Sequence, residues 1–165
     1  MMNYPAIRPK IRTGDLLFWS HGSWASWSDV QVLIVRAFTV SEYSHVGVAV
    51  VLAGRVFVVH AIGRGVVIEP LSNQDAFYWC AMGFAFPETA LDAGMSRVGE
   101  RYSKWQALLG FFRKLRIGAD KEWQCAEFAL WFWQQAGLIL GDTATPAGIA
   151  REMQSLGKQL TYVKT

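Results

Sequence analysis

The feature that most constrains this chain is a pair of apolar runs, residues 45–52 (HVGVAVVL) and 55–61 (RVFVVHA), separated only by Ala53 and Gly54. Both are rich in β-branched residues and too short for a buried helix, and a two-residue break ending in Gly marks a tight hairpin. Two of the 3 histidines bracket this hairpin, His45 opening one strand and His60 closing its partner. The start of one antiparallel strand lies beside the end of the next, so the two imidazoles are predicted to be neighbours.

Further strands are predicted on both sides. Gly14 and Asp15 turn into Leu16, Leu17, Phe18 and Trp19; Gly63, Arg64 and Gly65 turn into residues 66–70; an aromatic run covers residues 77–86. Together these make an antiparallel sheet of about five strands. Helical spacing appears in Val30, Leu33, Ile34 and Ala37 behind a Ser28 or Asp29 cap, and again over 90–98 and 105–115. It is clearest over 124–136, which Gly137 stops, and a last helix over 147–155 is opened by Thr145 and Pro146. Strands in the middle with helices at both flanks read as α+β.

A length of 165 residues without repeat or linker fits a single domain, 1–165, with a sizeable core. Hydrophobic residues at 52% and charged residues at 18% exclude a disordered chain or a coiled coil. The charge balance is 16 Lys+Arg against 13 Asp+Glu, and the basic residues are scattered apart from Arg113, Lys114 and Arg116, so no nucleic-acid partner is indicated. Eight tryptophans lead us to expect a Trp-lined groove. Residues 1–12 lack the apolar region of a signal peptide, and no segment has the ~18 uninterrupted apolar residues of a membrane span, so a cytoplasmic location is the default expectation.

The chemistry converges on Cys125, which opens the helical pattern at 124–136. Helix N-terminal amides favour a thiolate, and a thiol beside a histidine is the activated nucleophile of cysteine hydrolases. Cys125 is the predicted nucleophile, His45 the general base, and His60 the group that orients the base through its other ring nitrogen. Residues 128–133 (FALWFW) make the helix apolar nearly all round, as a buried nucleophile-bearing helix packed on a sheet requires. Two cysteines permit at most one bridge, which excludes a disulfide scaffold.

Gly14-Asp15-Leu16-Leu17-Phe18, Ser44-His45-Val46-Gly47-Val48, Val58-Val59-His60-Ala61 and Gly65-Val66-Val67-Ile68 resemble the successive motifs of NlpC-type papain-like cysteine peptidases. In the ordinary family the Cys precedes these motifs, whereas Cys125 follows them. That order resembles the circularly permuted branch, the YiiX-like group, in which the Cys is followed by a small residue and Glu, as in Cys125-Ala126-Glu127. The His, His, Cys order is also distantly similar to lecithin:retinol acyltransferase-like proteins, although Gln124-Cys125-Ala126-Glu127 departs from their Cys motif. The resemblance implies a permuted papain-like fold and an amidase or peptidase acting on cell-wall peptides or related amides through a thioester. A lipid acyltransferase or lipid-amide hydrolase using the same triad is one alternative, and a non-catalytic binding module another. The partner implied is a peptide or small amide substrate.

Each residue also has a plainer reading. A lone Cys is most often a small buried hydrophobe, and that is the reading kept for Cys80; for Cys125 the two histidines reverse it. Asp15, Tyr43, Tyr102 and Trp123 are the substrate-binding candidates, with a turn-capping role favoured for Asp15. His21 reads as a solvated or groove-rim residue, and Glu127 as a first-turn acid or a site residue. No CxxC or HxxxH pair exists, so neither a metal nor a cofactor is expected. The aromatic and basic stretch 104–116 has the composition of a membrane-surface helix, but a helix packing one face on the core is favoured, leaving membrane contact a secondary expectation.

Overall fold

A computed structural model describes residues 2–20, 43–62, 65–100, 123–139, 141 and 145–165. In chain order these form β1 (Met2–Asn3), α1 (Tyr4–Ile7), a 3-10 turn, β2 (Leu16–Ser20), β3 (Tyr43–Leu52), β4 (Arg55–Ile62) and β5 (Gly65–Pro70). A second 3-10 turn, β6 (Phe77–Cys80), α2 (Glu88–Met95), α3 (Trp123–Gln135), α4 (Pro146–Ser155) and β7 (Leu160–Lys164) follow. The class is α+β. All described strands join one sheet in the order β1-β7-β6-β2-β3-β4-β5, antiparallel throughout except where β1 runs parallel to β7.

Alternation along the strands sorts the core onto two faces. Leu16, Phe18, Val46, Val48, Val50, Val59 and Ala61 pack on one face against α3 and α4, through residues such as Phe128, Phe132, Ile149 and Met153. Leu17, Trp19, Ala49, Val56, Val58, Phe77 and Val163 pack on the other with Tyr4, Ile7 and Ile11. Each buried aliphatic or aromatic side chain contributes about 1.5–3 kcal/mol, so the sheet is held from both sides. Helix α3 presents Ala126, Ala129, Phe132 and Trp133 fully buried, as its nearly continuous apolar surface predicts. Thr145 caps α4, its Oγ1 accepting from the Gly148 N–H at 2.9 Å.

Among the described residues the sheet has seven strands rather than about five. The additions are the short terminal strands β1 and β7, which become strands by pairing with each other and with β6. The aromatic strand predicted over 77–86 ends at Cys80, because the Met82 N–H turns away to donate to Asp15 Oδ1 (2.9 Å) and Gly83 takes a left-handed φ of 66°. Helix α2 is Glu88–Met95 instead of 90–98, giving way to a turn in which Arg97 N bonds Gly94 O (3.2 Å). The helices predicted over 30–37 and 105–115 lie outside the described residues. Among those described, no helix is long and apolar enough to cross a membrane. Trp19 and Trp133 are buried in the core and do not line a groove.

Candidate active site

The β3–β4 hairpin builds the site. Its turn places Ala53 (φ 48°) and Gly54 (φ 74°) in the left-handed region that a tight two-residue connection uses, which fixes the pairing Leu52↔Arg55 through Val48↔Val59. One step beyond that ladder Gly47 lies opposite His60, and His45 is diagonal to His60 on the same face. Gly47 is needed for the approach: a Cβ there would lie 2.5 Å from Val58 Cγ2 and 3.0 Å from His60 Cβ. With that space open, His45 Nε2 and His60 Nδ1 stand 2.9 Å apart, a hydrogen-bond distance.

Trp19, paired with His45 across β2 and β3, covers both rings at centroid distances of 5.3 Å to His45 and 6.1 Å to His60. His60 is fully buried. On its other side β5 pairs Val67 with His60, so Glu69, two residues further, projects from the same face. Glu69 Oε2 lies 3.5 Å from His60 Nε2 and accepts a hydrogen bond from Gln74 Nε2 at 2.9 Å. At 3.5 Å the His60–Glu69 contact is electrostatic rather than a tightly aligned hydrogen bond. His45 titrates well below the ordinary histidine range, chiefly because burial disfavours its cation and then because His60 stands beside it, with Glu69 pulling the other way. Its imidazole is therefore neutral at physiological pH.

Cys125 is the third residue of α3 and 5% exposed. It belongs to the cluster on the α3 face together with Val46 and Ala61, the residues that follow His45 and His60 in the chain. The imidazoles share the opposite face with Trp19. Their end of the sheet is irregular: the β2–β3 register shifts between Trp19 and Ser20, so that both Tyr43 and Val46 join the α3 side across Ser44 and His45.

Asp15 is 2% exposed and its carboxylate is filled by protein donors: Oδ2 accepts from Arg12 N (2.9 Å) and Trp79 Nε1 (2.8 Å), Oδ1 from Met82 N (2.9 Å). That is the turn-holding role, extended to fasten β2 to the end of β6, and it leaves the carboxylate no opening toward a substrate. Tyr43 is a buried residue of β3, packed on Phe18 and edge-on to Tyr78 at 5.2 Å. Trp123 is the first residue of α3. Tyr102 and His21 lie outside the described residues, as does the stretch 104–116. Cys80 is buried core, its thiol pushed up to about 11 by burial and by the nearby Asp15. Glu127, two residues after Cys125, is pushed up to about 7 by burial. No group of three or more His, Cys, Asp or Glu among the described residues is arranged to hold a metal ion.

Glu69 and Gln74 escape the motif reading, which stops at Ile68. The signal was present: an acid two positions beyond the residue facing His60, inside an otherwise apolar strand.

The fold and this paired-histidine hairpin can be set beside known proteins. The chain is similar to the crystal structure of metalloprotein yiiX from Escherichia coli O157:H7, described as DUF1105, over 93% of this chain and 88% of that one, at a TM-score of 0.54 and 21% identity. The likeness establishes a YiiX-like fold, the arrangement that the motif order resembles. No protein-family model matches the sequence, and no curated protein does.

Proposed function

We propose that this chain is a cysteine hydrolase of the permuted papain-like kind, cleaving an amide bond in cell-wall peptides or related amides, with 1–165 acting as one catalytic domain. The observation that carries the reading is the 2.9 Å contact between His45 and His60 in a buried site. Two paired antiparallel strands hold one imidazole against another so that a base is oriented by a second ring, which is the demand of nucleophilic catalysis. The YiiX-like fold supports the same reading. The yiiX protein is described as a metalloprotein; among the described residues of this chain no three His, Cys, Asp or Glu are grouped to hold a metal ion.

In this mechanism Cys125 Sγ attacks the amide carbonyl carbon while a ring nitrogen of His45 takes the thiol proton. Because His45 is held neutral, the resting pair is thiol and imidazole, and the proton leaves sulfur as the C–S bond forms. The backbone N–H of Cys125 contributes to stabilising the oxyanion. Collapse of the tetrahedral intermediate breaks the C–N bond, and the proton on His45 passes to the leaving amine. Water then attacks the thioester with His45 again as base, releasing the acid and restoring the thiol. The reaction requires the Cys125 thiol to meet His45 around the irregular strand end at Ser44.

The test is incubation with peptidoglycan-derived peptides and, in parallel, with acyl lipids, followed by intact-protein mass spectrometry. A peptide acyl adduct on Cys125, lost in Cys125→Ala and His45→Ala, is the expected result. A lipid adduct would move the substrate to the acyltransferase class. Unchanged alkylation of Cys125 in His45→Ala would overturn the thiol–imidazole pair.

A further inference from the structure

The geometry points to Glu69 as a positioning residue that, held by Gln74, fixes through His60 which nitrogen of His45 carries the lone pair. Its catalytic meaning rests on the cysteine-hydrolase reading above; the direction of the chain rests on the contacts alone. An ionised carboxylate accepts hydrogen bonds and donates none. Glu69 Oε2 already accepts from the Gln74 side-chain amide at 2.9 Å, an assignment that follows from the partner because only the NH2 end can donate. The nitrogen of His60 that faces the same oxygen at 3.5 Å, Nε2, is thereby the one that carries hydrogen.

In the neutral form of His60, which the proposal takes, hydrogen on Nε2 leaves Nδ1 as an acceptor. The atom 2.9 Å from it, His45 Nε2, must then be the donor. His45 is itself neutral, which places its one proton on Nε2 and leaves the lone pair on Nδ1. The reversed chain would aim the bare lone pair of the fully buried His60 Nε2 at the carboxylate of Glu69, itself only 25% exposed, setting two regions of negative charge against each other. The chain therefore runs Gln74 to Glu69 from one end, and His45 to His60 to Glu69 from the other. Its product is a base already in the tautomer that takes a proton at Nδ1, with no rearrangement before reaction.

Histidine labelled with 15N reports this directly, since only 3 histidines contribute signals. Long-range 1H–15N correlations of the full chain near pH 8 are expected to show both His45 and His60 as Nε2–H tautomers. Glu69→Ala is expected to convert His60 to a mixture and to slow alkylation of Cys125 by tenfold or more at unchanged melting temperature. Glu69→Gln keeps a carbonyl acceptor, and is expected to restore the tautomer and most of the alkylation rate. An Nδ1–H signal at His45 in the native protein, or an imidazolium at His60, would overturn the proposal, as would tautomers indifferent to Glu69→Ala. Should Glu69→Ala fail to fold, the native spectrum and Glu69→Gln still decide it. Tautomers as expected, with Cys125 alkylation indifferent to His45→Ala, would sink the hydrolase reading and leave the chain standing.

Discussion

Asp15 and His60 are the two buried polar or charged side chains among the described residues, and they are buried for different ends. Asp15 forms a closed set: three donors from the β2 turn and the end of β6 converge on one carboxylate. His60 is a link in a line, with Glu69 on one nitrogen and His45 on the other. Each region also has a cysteine to consider. Cys80 lies where Asp15 raises its pKa, and Cys125 starts the helix packed behind the histidine-bearing strands. A closed set secures structure and has nothing left to exchange. A line lets one ring orient the next, and its 3.5 Å link between His60 and Glu69 is electrostatic where the links of the closed set are hydrogen bonds.

The largest effect should come from opening the closed set. Asp15→Ala strands the three donors, and each unsatisfied buried group costs about 1–3 kcal/mol. A loss of about 4 kcal/mol in urea unfolding is expected, with Asp15→Asn intermediate because one oxygen survives. A loss below about 1 kcal/mol would mean that the donors find water and that the set is not closed.

Next comes the contrast between the thiols. A thiol pushed up to about 11 is ionised to roughly one part in three thousand at pH 7.5, so Cys80 should be inert to alkylation until the protein unfolds. Cys125 is expected to react at least 100-fold faster in the native protein, as peptide mapping after brief iodoacetamide treatment would show. Equal rates would erase the distinction between the two regions.

A smaller effect is expected at Gly47, where the two regions share strand β3. Gly47→Ala puts a methyl 2.5 Å from Val58 Cγ2 and 3.0 Å from His60 Cβ. Overpacking of this kind costs about 1–3 kcal/mol. The strand must also give way beside His60, so the His45–His60 15N signals should shift. Loss of stability with unmoved imidazole signals would show that the pair is positioned by Trp19 and β5, not by the missing side chain.

Local pattern made half of this legible. The hairpin, the all-round apolar surface of α3 and the Thr145 cap are written in adjacent residues, and they appear where the residues put them. What failed to show depends on partners far along the chain. Strand β1 has two residues and no pattern of its own; it exists because Met2 pairs with Val163. Asp15 reads as a turn residue, and its reach to Trp79 and Met82 comes from the β2–β6 pairing. Glu69 lies one residue past the motif that ends at Ile68, and it joins the histidine line through the register His60↔Val67, a pairing between two strands that neither strand's pattern states alone. The same holds for the tryptophans: composition counts them, but a face of β2 sends Trp19 inward and a face of α3 sends Trp133 inward.

The smallest effect, about 1 kcal/mol, tests whether the α3 side carries a polar cost of its own. Burial pushes Glu127 up to about 7 from an ordinary value of 4.5. Between those values the folded state holds a proton that the unfolded state has released, so this contribution is fully present below about pH 4.5 and is lost as pH rises through about 7. The side chain is only half-buried, and solvent screening reduces the full linkage to about 1 kcal/mol. His45 acts in the opposite sense: depressed in the folded state, it withdraws stability as pH falls below about 6.5. The two are separated by comparing the native protein with Glu127→Gln from pH 5 to 8 in urea. The variant should lose the decline on the alkaline side, gain about 1 kcal/mol relative to the native protein at pH 8, and keep the acid-side loss that belongs to His45. Parallel curves would show that Glu127 reaches solvent when charged, and that the histidine line alone sets the pH response.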